Sequence, residues 1–121
     1  VLRRNKNVQI RVLLDEGQMK KPSCKGQVAR VKDLLEWGVE FRTYTPDRGG
    51  FAVLHAKTWL VDGLAALTGS LNFTSNGMEK SEELLTVIRD EEFATSYLEW
   101  FEQLWRLGNE VQKHWLKGTR L

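Results

Sequence analysis

The chain has 121 residues, 18 Lys and Arg against 16 Asp and Glu, a net charge of +2 and an apolar fraction of 41%. That length suits one domain with one core, residues 1–121, and excludes a chain holding two copies of a large catalytic unit. A single cysteine, Cys24, excludes an internal disulfide and a Cys-rich zinc site and fits a reducing compartment (cytoplasm or mitochondrial surface), while no apolar run approaches membrane-spanning length and no signal peptide is visible.

In chain order, residues 1–7 read as the tail of a helix and a polar turn. Residues 8–14, VQIRVLL, alternate and then turn continuously apolar, which predicts a strand entering a core. Residues 15–25 read as a polar loop carrying Lys20, Lys21 and Lys25, a solvated stretch before it is a phosphate contact. Residues 27–37 predict a helix with Val28, Val31, Leu34 and Leu35 on one face and Gly38 as its stop. Residues 39–44 alternate as a strand, and 45–50 form a loop with Pro46, Gly49 and Gly50.

Residues 53–61 predict the strand that carries His55, closed by Asp62-Gly63, a strong hairpin signal, with residues 64–67 as its partner. A short helix is expected over 72–80, capped near Asn72, Thr74 or Ser75. A strand follows over 83–89, then an amphipathic helix over 90–107. Its stripe of Phe93, Tyr97, Trp100, Phe101, Leu104 and Trp105 reads as core. Residues 108–121 read as a frayed helical tail. Strands interleaved with helices, plus one hairpin, predict an α/β fold with a mixed β-sheet flanked by helices.

The stretch that carries chemistry runs from His55 to Glu83. On a strand, residues i and i+2 share a face, so His55 and Lys57 emerge side by side. Ser70 and Asn72 repeat that spacing, and Gly69 beside them lets a ligand approach the backbone. An imidazole, a fixed cation and small polar donors suit a phosphate ester.

His55, Lys57, Asp62, Gly69, Ser70 and Asn72 stand at the gaps His-x-Lys-(x4)-Asp-(x6)-Gly-Ser-x-Asn. This string resembles the HKD motif of the phospholipase D superfamily. Glu83, opening Glu-Leu-Leu-Thr-Val-Ile, matches the Glu that the superfamily carries shortly after the Asn. One copy is present, as in the branch of Nuc-type endonucleases and mitochondrial cardiolipin hydrolases. Members of that family usually begin with a further strand and helix. The resemblance therefore implies a phospholipase D-like half-domain, N-terminally truncated, with a naturally short variant as the alternative.

The resemblance implies roles for these residues. His55, which alone would more often be a structural histidine, becomes the nucleophile and forms a phosphohistidine. A free imidazole is mostly neutral at pH 7, so it attacks without first losing a proton. Lys57, Asn72 and Ser70 would hold the non-bridging phosphate oxygens. Helix capping is the rival role for Asn72 and Ser70. Glu83 would orient an imidazole, with Glu79 and Glu82 as neighbours open to confusion with it. Asp62 and Gly69 read as structural motif positions, and His114 lies outside any motif. Two histidines and one cysteine, far apart, make no metal-ligand set, so neither metal nor cofactor is expected.

The function implied is a metal-independent phosphodiesterase. One motif supplies one histidine, yet the chemistry needs a second as general acid, so a homodimer with a shared active site is expected. Basic residues Lys20, Lys21, Arg42 and Arg48 could flank a groove for nucleic acid, which favours a nuclease. A phospholipid substrate such as cardiolipin is the alternative, and an inactive phosphate-binding module is the third reading.

Overall fold

The structure, a computed structural model, describes residues 7–50, 52–70 and 80–111. The described elements are β1 (Arg11–Asp15), α1 (Glu16–Met19), a 3-10 turn at Pro22–Cys24, α2 (Lys25–Glu36), β2 (Glu40–Tyr44), β3 (Thr58–Val61), β4 (Ala65–Gly69), β5 (Leu85–Ile88), α3 (Glu91–Leu107) and β6 (Asn109–Glu110). They fall into two compact units. One carries the chain up to Leu54 and again from Trp105; the other is His55–Leu104.

In the first unit β1 and β2 pair in parallel, with Val12 opposite Phe41, and β6 adds to β2 antiparallel. A parallel pair needs a crossover, which α2 supplies. Val28 and Val31 lie one turn apart on one face of α2 and are both buried. They join Met19, Val39, Phe41 and Val111 in the core, against Ile10, Val12 and Leu14. Each such apolar side chain contributes roughly 1.5–3 kcal/mol on full burial.

The end of α2 explains how Val39 enters that core. Gly38 adopts φ 88, Val39 N–H donates to the Leu34 carbonyl at 3.1 Å, and Gly38 N–H donates to Leu35 at 3.1 Å. This paired closure turns the chain sharply and points the residue after the glycine inward.

Two expectations for this unit need correction. The polar loop over 15–25 holds a helical turn, because the Asp15 side chain accepts the Gln18 N–H at 2.8 Å and caps α1. The described part of the tail after 107 is a strand. Val111 is buried and its N–H donates to the Phe41 carbonyl at 2.9 Å, so pairing with β2 replaces a continued helix. Residues 112–121, including His114, lie outside the described residues, as does the helix expected over 72–80 for all but Lys80.

The second unit is an antiparallel sheet in the order β3-β4-β5 with most of α3. Asp62 and Gly63 take φ 53 and φ 66 and close the β3–β4 hairpin, with Leu64 N–H donating to Val61 at 2.9 Å. Both positive φ values belong to the turn type that Asp-Gly favours. Ala66 on β4 and Ala94 on α3 are fully buried. The Asp90 carboxylate accepts the Phe93 N–H at 2.7 Å and starts the helix.

The α/β class holds, and the mixed sheet is divided. Among the described residues parallel and antiparallel pairing meet only in β1-β2-β6, and β3-β4-β5 is wholly antiparallel. The strand expected over 53–61 is also shorter, because its ladder starts at Thr58 opposite Thr68. His55 and Lys57 precede it, and the His55 carbonyl accepts the Lys57 ammonium rather than a ladder N–H.

Candidate active site

A cleft of about 800 Å³ opens in the second unit. His55 and Lys57 line it from the segment entering β3, Gly69 and Ser70 from the end of β4, and Ser96, Tyr97 and Trp100 from α3. The His55 ring is exposed and Lys57 is half-buried. Lys57 Nζ donates to the His55 carbonyl at 2.7 Å. An ammonium has three donors, and among the described residues this bond uses one, which leaves two N–H groups and the full charge for an anion beside His55. The bond fixes the ammonium on the backbone of the residue that carries the imidazole.

The end of β4, which by register lies beside the segment entering β3, is held by a different bond set. Ser70 Oγ donates to Glu83 Oε2 at 2.5 Å, while Ser70 Oγ accepts the Leu84 N–H at 3.2 Å. Ser70 N–H donates to the Leu84 carbonyl at 3.0 Å. The end of β4 is thereby stitched to the residues entering β5. Glu83 is thus placed on Ser70; among the described residues no hydrogen bond joins it to His55. It also precedes β5 rather than lying on it.

Gly69 is required here for a reason other than ligand access. A Cβ at position 69 would drive into the Leu84 carbonyl, which is rigid backbone. Asp62 sits in the hairpin turn, at the far end of β4 from Gly69. Asn72 lies outside the described residues. Among the described residues no group of three or more His, Cys, Asp or Glu is placed to hold a metal ion.

Arg42, expected to flank a groove, is engaged inside the first unit. Its guanidinium stacks 4.8 Å from the Trp105 ring centroid and Nη1 donates to the Trp105 carbonyl at 2.5 Å. That arrangement serves packing, with Arg11 also over the ring at 5.3 Å. Lys20 pairs with Glu16 at 3.3 Å, whereas Lys21 and Arg48 are exposed.

Sequence reasoning missed two features. The aromatic stripe of α3 reads as core, yet Trp100 is 39% exposed and lines the cleft with Tyr97. Asp15 reads as the start of a loop, yet its Oδ2 accepts the Leu54 N–H at 2.7 Å, one residue before His55. A helical period shows which residues share a face but not what that face meets. A single Asp at the end of an apolar run carries no signal of its distant partner.

A family model described as cardiolipin synthase, PLD-like domain, matches residues 2–105. The chain belongs to the phospholipase D superfamily. Among superfamily relatives, it is 30% identical over 107 residues to a mitochondrial cardiolipin hydrolase of Canis lupus familiaris, covering 88% of this chain and 39% of that protein. It is 31% identical over 105 residues to a phospholipase D of Rickettsia bellii, covering 85% of this chain and 47% of that protein. The chain therefore spans less than half the length of these curated relatives. The crystal structure of the phospholipase D family member Nuc from Salmonella typhimurium superimposes with a TM-score of 0.76 at 26% identity, covering 89% of this chain and 67% of that one. No helix among the described residues is long and apolar enough to cross a membrane.

Proposed function

We propose that the chain is a metal-independent phosphodiesterase that cleaves nucleic-acid phosphodiester bonds through a phosphohistidine on His55. The observation that carries this reading is the cleft itself, where an exposed imidazole, a backbone-fixed ammonium and the Gly69-Ser70 strand end share one space. A neutral imidazole nitrogen attacks phosphorus and the bond to the leaving oxygen breaks. That oxygen takes its proton from the protonated His55 of a second copy, so the working unit is a homodimer. Water then attacks the phosphohistidine, returns its proton to the second imidazole and frees His55.

Lys57 holds the non-bridging oxygens and offsets the charge that develops on them. Asn72 supplies a further donor. Ser70 and Glu83 act as a pair: a phosphate draws the Ser70 hydroxyl away, and the carboxylate is left to orient an imidazole. The likeness to mitochondrial cardiolipin hydrolases supports a second reading, a phospholipid substrate.

The test is a side-by-side assay of single-stranded DNA, RNA and cardiolipin vesicles in EDTA. Cleavage of a nucleic acid with chelator present is the expected result. Turnover of cardiolipin alone would establish the lipid reading instead, and turnover of none with the motif intact would leave phosphate binding as the function.

A further inference from the structure

We propose that Trp100 and Tyr97 form an aromatic platform that takes the nucleobase next to the scissile phosphate. The inference rests on the nuclease reading above and deepens it. Tyr97 and Trp100 stand three residues apart on α3, so they share a face. Both line the cleft that holds His55 and Lys57. Phe93, one turn earlier, packs on Tyr97 with ring centroids 4.5 Å apart at 39°, which holds the tyrosine ring in place. Trp100 is the exposed member of a stripe that is otherwise half-buried or buried.

The cleft lining offers two kinds of chemistry. His55 and Lys57 bring an imidazole and an ammonium, suited to a phosphodiester. The helix α3 brings two aromatic rings and the Ser96 hydroxyl, whose proton goes to the Glu92 carbonyl at 3.1 Å and whose oxygen remains an acceptor. A nucleotide presents the same two kinds of group, an anion and a flat π-face. An acyl chain would be matched by branched aliphatic side chains, and none of the described residues lining the cleft is Leu, Ile, Val or Met. Stacking on an indole tolerates any base but requires the base to be unpaired, which selects single strands.

The test uses single-stranded oligothymidylate and an oligomer of the same sugar-phosphate backbone without bases. Binding is measured by fluorescence anisotropy in EDTA for wild type, Trp100→Ala, Trp100→Leu and Trp100→Phe. Loss of one stacked base weakens binding about 5- to 140-fold. Trp100→Ala and Trp100→Leu are expected to lose this factor on oligothymidylate, with binding of the abasic oligomer within about twofold of wild type. Trp100→Phe recovers most of the loss, because a ring returns. Equal losses on both oligomers, or a Trp100→Leu protein that binds oligothymidylate like wild type, would overturn the platform while leaving the nuclease reading intact. A wild-type protein that binds neither oligomer but binds cardiolipin vesicles would overturn both.

Discussion

The Asp15 carboxylate accepts the Leu54 N–H at 2.7 Å and so ties the end of β1 to the residue that precedes His55. Its other oxygen caps α1 through the Gln18 N–H at 2.8 Å. One buried side chain thus serves two backbone donors. Asp15→Ala leaves both without that partner, and the expected loss is about 2 kcal/mol of unfolding free energy. Asp15→Asn, which keeps an acceptor oxygen, should lose less. A urea titration of both variants checks this, and an Asp15→Ala protein as stable as wild type would show that the tether does not hold the segment.

Lys57 is bonded to the His55 carbonyl and lies in no core. Lys57→Ala should therefore lower turnover on the order of 100-fold while the melting temperature stays near wild type. Asn72→Ala should behave alike. Activity that survives Lys57→Ala would remove the lysine from the phosphate site.

The hairpin and the strand end give a contrasting pair. Asp62 adopts φ 53, which glycine tolerates and a β-branched residue does not. Asp62→Gly should stay within about 0.5 kcal/mol of wild type, and Asp62→Val should lose roughly 1–2 kcal/mol. Gly69→Ala forces a methyl group into the Leu84 carbonyl and should cost about 1–3 kcal/mol through separation of β4 from β5. Thermal melts report the first pair. If Gly69→Ala melts like wild type, the β4–β5 contact is looser than described.

A shared site makes a distinct kinetic prediction. Mixed dimers of wild-type and His55→Ala chains, isolated through two tags, should lose most of their activity, because the one shared site then keeps a single histidine and lacks either nucleophile or proton donor. Half the wild-type rate per dimer would show a complete site in each chain, and His114 would be the first residue to examine for the second role.

Much of this was legible in the residues. The spacing of Val28, Val31, Leu34 and Leu35 and the stop at Gly38 marked α2, and Asp62-Gly63 marked the hairpin that the backbone angles bear out. The six motif positions pointed to the family that the comparisons show. The split into two sheets was not legible, because β6 is only two residues long and its pairing depends on a contact with β2 some 66 positions away. Nor was the engagement of Glu83 by Ser70, since strand alternation assumes a ladder that starts only at Leu85. Trp100 sits mid-stripe by period, and the cleft it lines also takes His55 and Lys57 from a loop segment that no period describes.

Trapping the intermediate tests the role of His55 most directly. The protein is mixed with excess single-stranded oligonucleotide in EDTA, quenched within a turnover and digested, and the peptides are mapped by mass. The expected product is a nucleotide phosphate joined to the His55 imidazole, absent from the His55→Ala protein, which also fails to cleave. An adduct on any other residue, or cleavage that persists in the His55→Ala protein, would contradict that role.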